Sequence, residues 1–488
     1  MRQIFPVPAF YTVLAIAALG LALRIAAAQG GLWVDEAWSA VLVSRVRTPW
    51  DIFVSINHDN NHHLNSLWMQ AIGFGAPPLA LRALSIACGT ATILVAAAIG
   101  ARQSVTHALV AALLFAIAPI LVNYGSEARG YAPMLLAGLT AILIATRWLE
   151  SSPADAASGR AALLMGAVTA IGLFAQLTML FFVGAIGAWI ALTLRRRHLP
   201  GIAYAMTARV MLPSVTATIL VFAGIFAAAA RSRTGMQVGD YSPFTIASLH
   251  GALDTMLATT IGASSLPVGA IDLLTLVAIT ATFVAVRRGR QSAPLFAVAI
   301  LGLPLAFVLL RIGNSGIPRY FLLSSVAILL LLADVIAGGL RRYGIARLVA
   351  ALALITITVG SVFDVGVDVA RRRGDIDAAI HLMRAASPGG ATIHVEHLRP
   401  IAPLQVAAAT LGYPLTVTEH CAGMRYAYID PARNAPAQPI VRLCGQALPL
   451  RLVRRAGTLS GTDWAMYGAT DRNQDPAGRK TTGAVRGH

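Results

Sequence analysis

Along the chain, apolar positions gather into runs of about 20 residues separated by short polar loops. Eleven runs stand out, at about 10–29, 79–100, 108–124, 131–149, 161–178, 180–194, 209–230, 266–286, 293–311, 320–338 and 346–363. A helix needs about 20 apolar residues to cross the hydrocarbon of a bilayer, so this pattern predicts eleven transmembrane helices. The first run can also be read as a secretory signal peptide, with Arg2 before it and Ala26, Ala27 and Ala28 as a cleavage site. Arg24 would then fall between apolar core and cleavage site, and a retained first helix fits better.

Two stretches lie outside these runs. In residues 30–78, Ala37, Trp38, Val41, Leu42 and Val46 recur at helical spacing, and Trp50, Ile52, Phe53 and Ile56 do so again after Pro49. This predicts two short amphipathic helices lying in the membrane interface. Residues 364–488 combine a helical stretch at 376–386 with strand-like runs at 391–395, 415–418 and 464–467. The expected organisation is a helical membrane domain over 1–363 carrying the loop 30–78, a small α/β domain over 364–470, and a disordered tail over 471–488.

Composition supports the membrane reading, since 57% of residues are hydrophobic and 12% charged, against roughly 45–50% and about 25% in soluble proteins. A soluble multidomain enzyme, a disordered chain and a disulfide scaffold are thereby excluded. The net charge of +17 comes almost wholly from Arg, because Lys480 is the sole Lys. Aromatic-basic clusters are missing, so no nucleic-acid partner is expected. Arg102, Arg147, Arg160, Arg195 to Arg197, Arg287, Arg288, Arg290, Arg341, Arg342 and Arg347 fall in loops that share one side, which the positive-inside rule makes cytoplasmic. Residues 30–78 and 364–488 are then exterior. Arg45, Arg47, Arg129, Arg231, Arg233, Arg311, Arg319 and Arg371 to Arg373 break the trend, and each needs a partner, an anionic ligand or a headgroup. Of the three cysteines, Cys88 is a packing residue in the second helix, and Cys421 and Cys444 share the exterior domain either as a disulfide or as free thiols.

Candidate chemistry concentrates at the exterior ends of the helices. Trp33-Val34-Asp35-Glu36-Ala37-Trp38 sets an acidic pair just after the first helix, followed by His58-Asp59-Asn60-Asn61-His62-His63-Leu64. A partly desolvated carboxylate there can act as a general base, and helix geometry lets one of the two neighbours face a shared cavity. The structural alternative is that Asp35 caps the helix and Glu36 favours its N-terminus. Ser126-Glu127-Ala128-Arg129-Gly130-Tyr131 and Pro318-Arg319-Tyr320 place two more Arg residues on the same side. Each is either a phosphate ligand or an ordinary ion-paired or headgroup-seeking side chain. His58 and His62, one turn apart, with Asp35 and Asp59, also admit a divalent metal, although no HExxH or Cys/His pattern is present.

Taken together and in this order, Arg24, Leu32-Trp33-Val34-Asp35-Glu36-Ala37-Trp38-Ser39, Asn61-His62-His63-Leu64, Ser126-Glu127-Ala128-Arg129-Gly130-Tyr131 and Pro318-Arg319-Tyr320-Phe321 resemble the GT-C superfamily. The nearest branch is the bacterial family 39 glycosyltransferases, which includes protein O-mannosyltransferases and the aminoarabinose and galacturonic acid transferases of lipopolysaccharide. The resemblance covers about residues 10–340, and it departs where the family usually has His-Pro-Pro-Leu and this chain has His62-His63-Leu64. It implies an all-α polytopic GT-C membrane fold, a polyprenyl-phosphate-sugar donor and an inverting transfer, without a required cofactor, to a lipid, glycan or protein acceptor. It also implies a site facing the periplasm from the bacterial inner membrane. Asp35 is then the expected base. Arg129, Arg319 and His62 are the expected phosphate and donor contacts, with Tyr131 and Tyr320 beside them. Glu127 would orient an Arg, and Glu36 would pair with Arg24 or touch substrate. Arg24, His58 and Asn61 complete the surroundings. A transporter or flippase of a lipid-linked precursor and a scaffolding subunit are the competing classes; neither two-halves symmetry nor polar residues at the midplane favour the former.

Overall fold

The computed structural model describes residues 7–151, 155–239, 241–287, 290–430, 435–457 and 459–468, so the expected tail over 471–488 lies outside the described residues. Among the described residues, nine helices are long and apolar enough to cross a membrane. They include α1 (Val7–Ala27), α5 (Pro78–Gly100), α8 (Tyr131–Glu150), α9 (Asp155–Ala175), α11 (Pro200–Arg231), α13 (Val268–Arg287), α16 (Leu322–Leu340) and α17 (Ile345–Arg371). The ninth, over Ala293–Leu310, consists of α14 (Ala293–Phe296), a π-helical stretch (Ala297–Gly302) and α15 (Leu303–Leu310). Two shorter apolar helices, α6 (Val105–Ile117) and α10 (Met179–Arg195), occupy the remaining expected runs. The chain is a mostly helical, multi-pass membrane protein, as its hydrophobic pattern requires. α12 (Ile246–Ile261) was not foreseen; it packs on α16 and α17 between two of the long helices.

Short elements join these. α2 (Val34–Ser44), α3 (Asp51–Val54) and α4 (His63–Ile72) follow α1. α2 and α3 are the two expected amphipathic segments, and α4 is a third helix that the periodicity did not reveal. Residues Pro119–Tyr124 form α7, separated from α6 by a break at Ala118. The break has a clear cause: Pro119 has no N–H to give to the carbonyl four residues earlier. That carbonyl, Phe115 O, accepts instead from Arg24 Nη2 at 3.1 Å, and Ala116 O accepts from Arg24 Nη1 at 3.3 Å. Arg24 is fully buried, and a Cβ on Gly125 would lie 2.7 Å from its Nε. Arg24 therefore patches the proline break from α1, and the expected pairing with Glu36 is not present.

Beyond α17, which runs past the expected edge at 363, come α18 (Asp377–Ala386) and α19 (Ile401–Thr410), together with strands β1 (Ala391–Val395), β2 (Leu415–Thr418), β3 (Tyr426–Ile429), β4 (Ile440–Leu443), β5 (Gln446–Arg454) and β6 (Trp464–Gly468). They form one six-stranded sheet in the order β2-β1-β3-β6-β5-β4, with β1 parallel to β2 and β3 and the remaining pairs antiparallel. β4 and β5 are joined through Cys444 and Gly445, both at positive φ, as a two-residue hairpin turn requires. Cys444 is disulfide-bonded to Cys421. The domain sits on the membrane helices through α19, whose Ala402 and Val406 pack with Leu32, Ala37 and Val41 around α2.

Candidate active site

α2 starts where Trp33 leaves the extended backbone, and the capping carboxylate is that of Glu36, which accepts the Trp33 N–H at 3.1 Å. Asp35 is not the cap, contrary to the simplest structural reading, and its side chain is free to face the neighbouring helices. Glu36 is fully buried and committed. Arg82, in the first turns of α5, donates to it from Nε at 2.9 Å and Nη2 at 2.5 Å, and the Ala128 N–H donates to it at 2.6 Å. Arg82 also donates to the carbonyls of Ala28, Gly30 and Gly31. Burial opposes the charge on Glu36, but Arg82 and these hydrogen bonds outweigh it and hold the carboxyl below its usual range. The expectation that Glu36 touches substrate or pairs with Arg24 is therefore corrected: it clamps the α1–α2 turn and the 126–130 loop to α5 through Arg82.

The 126–130 loop is pinned from several sides. Asn65 donates to Ala128 O at 2.5 Å, and Ser85 donates to Arg129 O at 2.9 Å. A Cβ on Gly130 would lie 1.7 Å from Ala175 O, so no larger residue fits there. This anchoring presents Arg129, 3% exposed, to Asp35. Arg129 donates from Nη1 to Asp35 Oδ2, from Nη2 to Asn60 Oδ1 at 2.6 Å and from Nε to His62 Nε2 at 3.1 Å, and it lies against the rings of Trp33 and Tyr131. Arg319 reaches the same Asp35 oxygen at 3.1 Å from the 3₁₀ turn that precedes α16. Residues 35, 129 and 319, distant in sequence, thus meet at one point, with Asp35 23% and Arg319 20% exposed. Burial opposes ionisation of Asp35, yet Arg129, Arg319 and Arg399 together keep its carboxyl below the usual range. Arg399 belongs to the segment just before α19, so a cation of the α/β domain lies within electrostatic reach of Asp35.

The other expected residues fall around this core or away from it. His62 is buried, bonds the Ala175 carbonyl and accepts from Arg129. Burial, then Arg129 and Arg319, push its pKa well below the usual value. By accepting from Arg129 it helps to orient that guanidinium. Tyr131 stacks edge-on against His62 with ring centres 5.4 Å apart. Tyr320 turns its ring toward Phe307. His58 pairs with Asp59 at 2.8 Å, and Asp59 accepts the Gly239 N–H. Asn61 donates to the carbonyls of Ile52 and Ile56 and so holds the loop in shape. Glu127 lies behind the loop, fully buried, with Oε1 bonded to Asn123 and to Arg373 at 3.2 Å each. Burial drives its pKa up to about 7 despite the nearby Arg373.

Three contributors were not singled out from sequence. Arg82 was legible as a charge inside an apolar run. Asn60 looked like one more polar loop residue, and Arg373 like the last of three equivalent Arg residues. Arg373 is 3% exposed and also donates to Ala27 O, Asn123 O, Ser126 Oγ and Ser460 Oγ. Arg372, by contrast, is half exposed and pairs with Asp375 at 3.4 Å.

These donors do not suit a divalent metal. Asp35 already faces two guanidinium groups, His62 uses both ring nitrogens, and His58 Nδ1 is engaged by Asp59. Among the described residues, the one group of three metal-type ligands in mutual reach is His250, Asp254 and Asp272. There the histidine spends one nitrogen on each carboxylate, at 3.3 and 2.9 Å.

No family model matches the sequence, and no curated protein matches it in sequence. Its fold does match solved structures. ArnT from Cupriavidus metallidurans in the apo state aligns with a TM-score of 0.54 at 12% identity, over 93% of this chain and 97% of that chain. The same protein bound to undecaprenyl phosphate aligns with a TM-score of 0.52 at 13% identity, over the same shares. The apo oligosaccharyltransferase of Archaeoglobus fulgidus aligns with a TM-score of 0.46 at 12% identity, over 86% of this chain and 69% of that chain. The chain has the GT-C fold that its motifs resembled, with a small sheet domain at its C-terminal end.

Proposed function

We propose that this protein is a membrane glycosyltransferase that moves a sugar from a polyprenyl-phosphate donor to an acceptor at the exterior face, with inversion. The convergence of Asp35, Arg129 and Arg319 carries the reading: one carboxylate and two guanidinium groups, each from a different segment of the chain, meet within hydrogen-bonding distance. A polyprenyl phosphate is already a good leaving group, so the chemistry needs cations for the departing phosphate and a base for the acceptor. Arg319, the more accessible Arg, is the phosphate ligand, and its planar fork suits two phosphate oxygens. Arg129, held by Asn60, His62 and two aromatic rings, positions Asp35 and adds positive potential. The acceptor oxygen or nitrogen attacks the anomeric carbon while the bond from that carbon to the phosphate oxygen breaks. The electron pair leaves with the phosphate, and the acceptor proton passes to Asp35. Turning Arg319 toward phosphate withdraws one cation from Asp35 and raises its basicity at the moment a base is needed. Glu36 and Glu127 keep the two supporting loops in place.

The likeness to ArnT bound to undecaprenyl phosphate supports a lipid phosphate as donor carrier. In this reading residues 364–470 form the exterior domain that brings Arg399 within electrostatic reach of Asp35, and the active site faces the periplasm from the bacterial inner membrane. The test is mass spectrometry of envelope glycolipids and glycoproteins from a deletion strain beside its parent and a strain complemented with Asp35→Asn. Loss of one hexose, pentose or uronic acid mass, restored by the wild-type gene and not by the variant, is the expected result. Identical glycan profiles in all strains would overturn the proposal.

A further inference from the structure

A second charged centre lies at the other end of the bundle. α8 begins beside the site at Tyr131 and ends at Glu150; 20 residues of helix place that end roughly 30 Å away. There a cavity of about 360 Å³ is lined by Arg102, His107, Trp189, Arg290, Gln291 and Asp334, among others. Asp334 is 3% exposed on α16, its Oδ2 paired with Arg290. Its other oxygen, Oδ1, stands 3.7 Å from His107 Nε2 and has no hydrogen-bond partner. Gln291 Nε2 is likewise buried without an acceptor, although Arg197 holds the amide oxygen at 3.0 Å. A carboxylate oxygen without a donor and an amide N–H₂ without an acceptor in one cavity are costly to leave so. They fit a ligand that brings both an acceptor and a hydroxyl.

The same ion pair also borders a second hollow. A largely apolar groove of about 710 Å³ between α13, α16 and α17 is lined by Arg290 and Asp334 and extends over Leu276, Val335 and Val349 to Arg342. The Arg290–Asp334 pair thus lines both hollows, which together are the candidate space. Glu150 is paired with Arg102, and Asp334 with Arg290, so both acids are already matched. Arg342 has no ion pair among the described residues, and the space as a whole is complementary to an anion.

We propose that this space is a binding site for an anionic glycerophospholipid whose headgroup carries free hydroxyls, with phosphatidylglycerol as the fitting chemistry. Its acyl chains lie in the groove, its phosphate accepts from Arg290 and Gln291, and a glycerol hydroxyl donates to Asp334 Oδ1. A polyprenyl phosphate matches the charge but brings no hydroxyl for Asp334, and a zwitterionic lipid sets an ammonium beside two Arg residues.

The test is native mass spectrometry of the full-length protein, titrated separately with phosphatidylglycerol, phosphatidic acid, phosphatidylethanolamine and undecaprenyl phosphate. A charge-assisted hydrogen bond is worth on the order of tenfold in affinity or more. Wild-type protein is expected to retain phosphatidylglycerol about tenfold better than phosphatidylethanolamine, and Arg290→Gln to abolish that preference. Asp334→Asn is expected to erase the advantage of phosphatidylglycerol over phosphatidic acid. Because the Asp334 variant strands Arg290 and endangers the fold, Gln291→Ala provides the second reading: normal thermal unfolding with weakened retention of both anionic lipids. Equal retention of the three glycerophospholipids, a loss of undecaprenyl phosphate retention in Arg290→Gln as large as the loss of phosphatidylglycerol, or undiminished phosphatidylglycerol retention in both Arg290→Gln and Gln291→Ala would overturn the proposal. None of these readings depends on Asp35 or on turnover.

Discussion

Replacing Asp35 by Asn should move binding and turnover in opposite directions, because Asp35 neutralises the cations that the donor phosphate needs. The Arg319–Asp35 contact is 3.1 Å between heavy atoms, with both side chains about a fifth exposed. With charge centres about 4 Å apart and an effective dielectric constant of about 20, the attraction is ~4 kcal/mol. Partial exposure and the side-chain entropy of the pair reduce the net competition to ~1–2 kcal/mol. A phosphate that no longer competes with Asp35 for Arg319 should therefore bind roughly 5- to 30-fold more tightly. Loss of the base should lower turnover by ~10²–10⁴. The assay is calorimetric titration of purified protein with undecaprenyl phosphate, beside single-turnover transfer followed by mass spectrometry, with thermal unfolding as the check on folding. Turnover near wild type would remove Asp35 as the base. Weakened phosphate binding in a folded variant would refute the competition between carboxylate and phosphate.

Arg319→Lys should weaken undecaprenyl phosphate binding, since an ammonium cannot reproduce the fork, whereas Arg129→Lys should chiefly lower turnover by releasing Asp35, Asn60 and His62; unchanged affinity in the Arg319 variant would move the phosphate site elsewhere. Arg372→Lys should be close to normal and Arg373→Lys clearly destabilised in thermal unfolding, because only Arg373 is buried and multiply bonded; equal behaviour of the two would contradict that assignment. Glu127, raised from 4.5 to about 7 by burial, takes up protons more readily folded than unfolded, so its contribution is fully present below about pH 4.5 and lost as pH rises through about 7, a span worth ~3 kcal/mol. Glu127→Gln should flatten the decline of thermal stability across that window, and an unaltered pH profile would refute the raised pKa. Single cysteines at Ser44 and Gly389 in a Cys-free background should react with an impermeant thiol reagent from outside, and one at Arg196 only after permeabilisation; labelling of Gly389 from the cytoplasm alone would invert the proposed topology.

The sequence alone carried the architecture because bilayer thickness acts on local composition. Runs of about 20 apolar residues announce spanning helices without reference to any neighbour, and the β-branched and aromatic runs at 391–395, 415–418 and 464–467 announced half of the strands. Asp35, Arg129 and Arg319 were also legible, since charges at the ends of apolar runs are costly and need a purpose. What those charges do was decided by contacts between segments far apart in the chain. Asp35 and Glu36 are adjacent and chemically alike, yet about 100° of helical rotation points one toward Arg129 and Arg319 and the other into Arg82. Arg372 and Arg373 are identical in sequence terms, yet one is half exposed and the other buried among Glu127, Ser126 and Ser460. Arg24 read as a neighbour of the acidic pair, but the proline break in another helix claims it. Local pattern records which residues must leave water or lipid; which partner each then meets depends on packing across the fold, and that only the tertiary structure decides.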